Sequence, residues 1–480
     1  MLVNKKKFIH IFVTFILAVF ICFYFFYFDT NSELEFGLKK TTLLSIVIYI
    51  WLLYSSYSIN NGINIYLIII ILTIPFYLGD QLSLILGYKE LMLKSDHSIL
   101  DGIISNESIF KAMFYMIECL LFLHVGYLSS QKGHFFNNTE YDNVSINTTQ
   151  IKQMNFTGWI IYILTIIPTI VIRVYDVFMS IKMGHLAYRL YGSVSGVLYY
   201  FDYIADWFIP GCLIILIFNN TVFEKKVASV SVAIYFFLYL LSGKRMEIIG
   251  AVFAIACVYL YWYKIKISKK NIFGIIISSI VIIFIFQIVG NMRNASGGIK
   301  MFSIESIEEA LSSNFLYGVF ETTGNTFTSI ANTIECVPSR VDFNKGKSLL
   351  GAILYLFPST IREPYLSHVI THISAKLSPF YYGWEISGYG SSFITELFFN
   401  FGYYGLLISL LYGIIVGKVV NSIENVNLKQ PFTFYLCIYL LLEIVQGVRN
   451  DLYFIPRHLF LYVFMPYIFS RFLVKKTSVY

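Results

Sequence analysis

Long apolar runs, each able to cross a lipid bilayer as a helix, recur along most of the sequence. A bilayer core needs about 20 consecutive apolar residues in a helix, because every backbone amide must find its partner within the segment. About twelve such runs can be placed, at 8–28, 42–58, 63–79, 109–129, 157–177, 199–219, 226–242, 247–264, 272–290, 397–420, 431–447 and 457–474. The sequence therefore predicts an all-α, polytopic integral membrane protein with about twelve transmembrane helices.

The composition excludes an ordinary soluble protein. Hydrophobic residues make up 57% of the 480 and charged residues only 13%, whereas a soluble domain is about one quarter charged. The cysteines are scattered without a CxxC pair, so neither a disulfide framework nor a zinc site is indicated. The run 8–28 follows three lysines and lacks a small-residue cleavage site, which favours a retained first helix over a signal peptide.

The apolar runs divide the chain into three predicted parts. Residues 1–290 form a bundle of about nine transmembrane helices, residues 291–396 a long loop, and residues 397–480 about three further helices. Lysine is concentrated in alternate short loops, and the positive-inside rule places these loops and both termini in the cytoplasm. The long loop then lies on the extracytoplasmic side.

Arginine has a different distribution from lysine. Its planar guanidinium suits bidentate binding of phosphate, whereas the lysine ammonium acts as a point charge. Only Arg471 lies inside in this orientation, and the arginines at the outer side are Arg173, Arg189, Arg245, Arg293, Arg340, Arg362, Arg449 and Arg457. This pattern indicates an anionic, phosphate-bearing ligand at the outer bilayer surface. The alternative is that these arginines brace loops through carboxylates.

Two carboxylates lie in apolar surroundings within or beside the long loop. Glu396 precedes Asn400 by one helical turn, and Glu321 precedes Asn325 in the same way. A carboxylate at membrane depth is costly, so it indicates a functional site by default. Alternatively, Glu396 pairs with a neighbouring arginine and fixes helix packing. The apolar core 349–358 is too short to span and predicts an interfacial or re-entrant helix.

The end of the long loop carries a spaced motif that resembles a known family. The motif has the form GxxxSxxxExxxNFGxxG and consists of Gly388, Ser392, Glu396, Asn400, Phe401, Gly402 and Gly405. It resembles the end-of-loop segment of O-antigen and capsule repeat-unit polymerases, the Wzy-type oligosaccharide polymerases. The stretches LYLFPSTIREP (354–364) and LSGKRMEIIG (241–250) resemble two further segments of that family. The likeness covers most of the chain as architecture and about 60 residues as motif.

The resemblance implies a GT-C-like glycosyltransferase in the bacterial cytoplasmic membrane. Such an enzyme polymerises polyprenyl-pyrophosphate-linked repeat units into O-antigen, capsule or exopolysaccharide at the outer leaflet, and it needs no cofactor or metal. A chain-length regulator and a flippase are the expected partners. Candidate pyrophosphate-binding residues are Lys244, Arg245, Arg293, Arg340, Arg362 and Arg449. Glu396, Glu321 and Arg245 are the candidate catalytic residues, and the candidate sugar-binding residues are Trp384, Tyr389, Ser392 and Asn400.

Other membrane functions remain as alternatives to polymerisation. A lipid-linked oligosaccharide flippase or transporter would place its charges in a central cavity near the midplane, and most predicted span centres here carry none. An O-antigen ligase is chemically close to a polymerase, because it uses the same donor with a different acceptor. The sugar, the linkage and the stereochemical outcome do not follow from the sequence.

Overall fold

The computed structural model describes residues 2–27, 33–94, 99–100, 103–131, 148–183, 196–242, 246–265, 315–354, 356, 373, 377, 380 and 391–477. All regular secondary structure within these ranges is helical. The helices of the first half are α1 (Leu2–Tyr27), α2 (Leu34–Asn60), α3 (Ile65–Ile85), α4 (Lys89–Met92), α5 (Asn106–Ser130), α6 (Thr148–Met183), α7 (Val197–Ala205) and α8 (Phe208–Phe218). Those of the second half are α9 (Val222–Leu241), α10 (Met246–Cys257), α11 (Phe315–Cys336), α12 (Lys347–Leu354), α13 (Phe393–Phe401), α14 (Gly405–Glu424), α15 (Pro431–Gln446), α16 (Phe454–Leu459) and α17 (Met465–Thr477).

Seven segments of the described chain are long and apolar enough to cross a membrane. They are Lys5–Phe25, Leu34–Asn60, Ile65–Ile85, Asn106–Ser130, Thr148–Met183, Val197–Phe218 and Phe393–Glu424, and each coincides with a predicted run. The prediction of a helical, multi-pass membrane protein is confirmed. The predicted runs 226–242, 247–264, 431–447 and 457–474 also form helices, whereas 272–290 lies outside the described residues. The count of about twelve spans stays a prediction.

The chain folds into two compact units. The first unit comprises Met1–Glu140, Leu316–Glu424 and Gly447–Arg457, and the second comprises Tyr141–Phe315, Asn425–Gln446 and His458–Tyr480. Neither unit is a continuous stretch of sequence. The predicted division into 1–290, 291–396 and 397–480 follows the order of apolar runs, whereas these units follow packing.

The core of the first unit is the packing of α5 against α14. The two backbones approach so closely that a Cβ on Gly126 would lie 2.0 Å from the carbonyl oxygen of Leu410. A Cβ on Gly413 would meet the carbonyl oxygen of Leu123 at the same distance. The hydroxyl of Ser409 donates to the carbonyl of Cys119 over 2.7 Å. Small residues allow such close approach between membrane helices, where packing replaces the hydrophobic effect as the attractive force.

Helix α11 belongs to the stretch predicted as the long loop and packs against α3 of the same unit. A Cβ on Gly324 would overlap the carboxylate of Asp80, with 2.1 Å to Oδ1. The other carboxylate oxygen of Asp80 accepts a hydrogen bond from the Thr328 hydroxyl at 3.1 Å. The loop region therefore contains a long helix with the polar and small residues that pack it on a candidate span.

The second unit is also assembled through glycines. Gly158 of α6 and Gly211 of α8 face the partner helix, where added Cβ atoms would lie 2.8 Å from Ile214 and 2.9 Å from Ile161. Gly250 of α10 lies against α15, because a Cβ there would be 3.1 Å from the Leu442 carbonyl oxygen. Both units thus use glycine where helices touch.

Candidate functional site

The motif at the end of the long loop begins a helix at Ser392. This residue is fully buried, and its hydroxyl accepts a hydrogen bond from the Thr395 amide at 3.2 Å. A serine in this N-cap position satisfies one of the amides that the first helical turn leaves without a partner. The Phe393 amide donates to the Gly447 carbonyl at 2.9 Å. The start of α13 is therefore tied to the segment 447–453, called the 447–453 loop below.

Glu396 lies one turn into α13 and is only 1% exposed. One carboxylate oxygen accepts from the Ser348 hydroxyl at 2.7 Å, and the other accepts from the backbone amide of Leu452. Among the described residues, no lysine or arginine forms an ion pair with Glu396. The alternative of an arginine partner is therefore not seen in the part of the chain that the structure describes. Hydrogen bonds hold this carboxylate in its apolar surroundings.

Asn400 extends the same network by one turn. Its amide nitrogen donates to the Ser348 hydroxyl at 2.8 Å and to the Glu396 carbonyl at 2.9 Å. Its amide oxygen accepts from the Asn344 side chain at 3.3 Å, and its backbone carbonyl accepts from the Lys345 amide at 2.9 Å. The network thereby joins α13 to α12 and to the segment that precedes α12.

The short helix α12 matches the predicted non-spanning helix in part. It runs over Lys347–Leu354, so it begins two residues before the predicted core 349–358 and ends earlier. Ser348, Gly351 and Ala352 are buried, while Leu350 and Ile353 are exposed. Gly346 just before it has a φ of 78°, a left-handed conformation that glycine adopts without strain. One face of α12 thus presents Ser348 to Glu396, and the other is apolar and open.

The 447–453 loop, GVRNDLY, is fixed from several sides. Besides the bonds to Phe393 and Glu396, the Val448 carbonyl accepts from the Tyr77 hydroxyl at 3.1 Å. The loop carries Arg449 and Asp451, both half-buried. The network therefore holds a cation and a carboxylate in place two residues apart.

Asp451 differs from Glu396 in how its oxygens are satisfied. Its Oδ1 is buried and has no hydrogen-bond partner. The hydroxyl of Ser391 lies close by but outside hydrogen-bond geometry, and it too is buried without a partner. Burial raises the pKa of the Asp451 carboxyl above its ordinary value, because the charged form is poorly solvated.

The other predicted site residues stand apart from this network or outside the described residues. Arg340 is exposed in the turn after α11, and its amide donates to the Cys336 carbonyl at 2.8 Å. Glu321 is half-buried on α11. That helix reaches α13 through Ser329, whose hydroxyl is 3.3 Å from that of Thr395, and Glu321 lies about 12 Å further along the axis. Residues outside the described ranges are Lys244, Arg245, Arg293, Arg362, Trp384 and Tyr389.

A second buried charge cluster lies in the other unit, around Arg173 of α6. Its guanidinium donates to Asp176 at 2.6 Å and to Asp202 of α7 at 3.2 Å. The guanidinium also lies over the Tyr239 ring, 4.7 Å from the centroid. Arg173 was counted among the outer arginines suited to an anionic ligand. Its contacts instead match the alternative of an arginine that braces helices through carboxylates.

The network around Glu396 includes residues that the sequence did not single out. Asn344 and Ser348 come from one stretch of the chain and Asp451 from another, and their distance in sequence from Glu396 gives no sign that they meet it. The one available signal was the acidic residue two positions after Arg449, in a short outer turn. Within the described residues, no group of three or more His, Cys, Asp or Glu side chains could hold a metal ion.

Comparison with known families gives one match over nearly the whole chain. The family described as O-antigen polysaccharide polymerase Wzy matches residues 8–478, which include both units and the network around Glu396. No curated protein and no solved structure gives a match.

Proposed function

Because the chain belongs to the O-antigen polysaccharide polymerase Wzy family, we propose that its glycan donor is a polyprenyl pyrophosphate at the outer leaflet of the bacterial cytoplasmic membrane. The protein is an O-antigen repeat-unit polymerase, a multi-pass membrane protein that acts on lipid-linked oligosaccharide repeat units. Membership of this family does not favour the flippase or the ligase. Cytoplasmic termini, a GT-C-like bundle of about twelve spans, and a flippase and a chain-length regulator as partners complete the proposal.

The proposed reaction transfers the growing glycan to a second lipid-linked repeat unit. The acceptor hydroxyl oxygen forms a bond to the anomeric carbon of the donor sugar. The bond from that carbon to the pyrophosphate oxygen breaks, and its electron pair leaves with the polyprenyl pyrophosphate. The hydroxyl proton passes to a base. Negative charge grows on the leaving oxygen, so cations placed there in advance stabilise the transition state more than the ground state.

The observation that supports this proposal most is the anchoring of the 447–453 loop by Glu396. The Leu452 amide bonds to Glu396, and the Gly447 carbonyl bonds to the start of α13, so the backbone on both sides of Arg449 is fixed. A fixed backbone lowers the cost of holding a guanidinium in bidentate geometry toward a pyrophosphate. Arg449 is therefore the leading pyrophosphate ligand of the described residues. Arg245, Arg293, Arg340, Arg362 and Lys244 remain proposed ligands, and Trp384, Tyr389, Ser392 and Asn400 remain proposed sugar contacts.

Replacement of Arg449 in the native host tests the proposal. Arg449→Ala and Arg449→Lys are compared by the length of the surface glycan on a gel, beside the amount of protein in the membrane. We expect ladders to collapse to a single repeat unit at normal protein level, with lysine restoring little because it cannot form the bidentate pair. The matched control is Arg471→Ala, since this exposed arginine donates to the Tyr467 hydroxyl one turn before it and lies at the predicted cytoplasmic end.

The outcomes separate the functions that the sequence left open. Intact ladders in Arg449→Ala at normal protein level would remove Arg449 from the pyrophosphate site. Loss of even the single repeat from the surface would indicate failed lipid transport, which contradicts the assignment. Arg340→Ala and Arg340→Lys, made in parallel, test whether an exposed arginine outside the network contributes as well.

A further inference from the structure

Glu396 is placed to hold the 447–453 loop and is poorly placed to touch a substrate. Its side chain is 1% exposed, and both of its oxygens already accept hydrogen bonds, from Ser348 and from the Leu452 amide. A general base must reach the proton it removes within hydrogen-bond distance. Glu396 could do so only after losing one of these two hydrogen bonds. A different group is therefore needed at the reacting hydroxyl.

Asp451 has the features that Glu396 lacks. It is half-buried on the loop that Glu396 anchors, and its Oδ1 is a buried acceptor without a partner. The Ser391 hydroxyl, 7% exposed, lies near it and is also without a partner. Buried polar atoms are nearly always hydrogen-bonded, so two unpartnered atoms side by side indicate a place where a ligand completes the bonding.

A sugar hydroxyl fits this pair of atoms. Its O–H donates to an acceptor, which Asp451 Oδ1 supplies, and its oxygen accepts from a donor, which the Ser391 hydroxyl supplies. Both serine and carboxylate are satisfied by one hydroxyl group, and the carboxylate is then in position to take the proton.

The charges around Asp451 also suit a base. The carboxylate of Glu396 lies near enough for the two charges to repel each other, and no described lysine or arginine forms an ion pair with Asp451. Burial raises the pKa of Asp451. The raised pKa brings the affinity of this carboxylate for a proton closer to what catalysis near neutral pH requires.

We propose that Asp451 is the general base of the polymerase, that Ser391 holds the oxygen of the acceptor hydroxyl, and that Glu396 is a positioning residue for the 447–453 loop. This inference rests on the proposed function. The acceptor O–H bond breaks and its proton moves to Asp451 Oδ1 as the oxygen bonds to the anomeric carbon. The bond to the pyrophosphate oxygen breaks with its electron pair, and the protonated Asp451 later releases its proton to water.

The test uses membranes that contain the full chain and, as substrate, lipid-linked repeat units extracted from a host strain that lacks the polymerase. Asp451→Asn keeps the shape but removes the base, and we expect kcat to fall about 10²- to 10⁴-fold while KM stays within about threefold. Asp451→Glu should recover part of the activity. Ser391→Ala should lower kcat about tenfold, the effect of losing one hydrogen bond to the reacting group. Asp342→Asn is the control, because Asp342 is an exposed carboxylate of the same unit.

The pH profile separates the base from the positioning residue. A base works only when unprotonated, so the rate falls as pH drops through its pKa. Glu396→Gln leaves the carboxylate of Asp451 in place, so the acid limb should persist in that variant. In Asp451→Asn the acid limb that belongs to the base should vanish. If Asp451 only positioned other groups, the acid limb would remain in the pH profile of Asp451→Asn.

Each result either supports or overturns the assignment. Near-normal kcat in Asp451→Asn at normal protein level would overturn it. Complete loss in Glu396→Gln at every pH, with Asp451→Asn active, would return the role of base to Glu396. If the wild-type membranes fail to extend the extracted repeat units, the proposed donor is wrong. If they extend them and Asp451→Asn does so equally, only the present inference fails.

Discussion

The protein buries charge in two different ways, one in each unit. Around Arg173, a guanidinium forms ion pairs with two carboxylates and lies over an aromatic ring. Around Glu396, a carboxylate is held by a serine hydroxyl and a backbone amide, and a second carboxylate lies nearby without a cation. The first arrangement compensates its charges, as a brace does. The second leaves two neighbouring carboxyl groups without a cation, an arrangement that suits a site that handles protons.

The largest effect on stability is expected from removing the guanidinium of Arg173. Arg173→Met removes the ion pair between Arg173 and the buried carboxylate of Asp176, which should lower the free energy of unfolding by about 3–5 kcal/mol. The measurement is the thermal unfolding of the purified protein in detergent, beside its abundance in the membrane. Arg173→Met combined with Asp176→Leu should restore much of the loss, because the only carboxylate of the cluster that then remains is Asp202, whose side chain is 49% exposed to solvent. A double variant as unstable as the single one would contradict the interpretation of Arg173 as a brace.

A smaller effect on stability is expected from removing the Ser348 hydroxyl from the hydrogen-bond network around Glu396. Ser348→Ala removes the hydroxyl that bridges Glu396 and Asn400, and should lower the free energy of unfolding by about 1–3 kcal/mol. Since the same bond positions the 447–453 loop through Glu396, glycan ladders should shorten even where the protein level is normal. Ser422→Ala is the control, because that exposed hydroxyl bonds only to the carbonyl one turn before it. Glycan ladders of unchanged length in Ser348→Ala would show that the hydrogen-bond network around Glu396 does not affect the reaction.

The smallest effect on stability is expected from replacing Asp202, the exposed carboxylate of the cluster around Arg173. The side chain of Asp202 is 49% exposed, and its bond to Arg173 is partly screened by solvent. Asp202→Asn should therefore change the free energy of unfolding by about 0–1 kcal/mol and leave the ladders intact. Shortened ladders at normal protein level would show that this cluster also takes part in the reaction, and the contrast between the two clusters would be wrong.

The sequence predicted the class of fold and the family well. The apolar runs predict the seven candidate spans that the structure describes, and the motif from Gly388 to Gly405 led to the family that matches residues 8–478. Ser392, Glu396 and Asn400 were singled out as one spaced set, because a period of four residues in a helix places them along one face. All three are buried at the start of or within α13, and their roles in the site stay predictions. The role of each, however, was read from residue type alone.

The apolar runs and the placement of charge determined which single segments form transmembrane helices. This is possible because each helix that crosses a bilayer must pair its backbone hydrogen-bonding groups within its own sequence. Only the tertiary structure decided which segments meet. Ser348, Ser391, Glu396 and Asp451 converge from three stretches of the chain, and their spacing in sequence carries no trace of that convergence. For Arg173, the spacing to Asp176 three residues on is visible in the sequence, but only the fold brings Asp202 of α7 and the ring of Tyr239 beside it. The chemical role of a charged side chain depends on its neighbours, and in this protein the packing of the helices decides which side chains become neighbours.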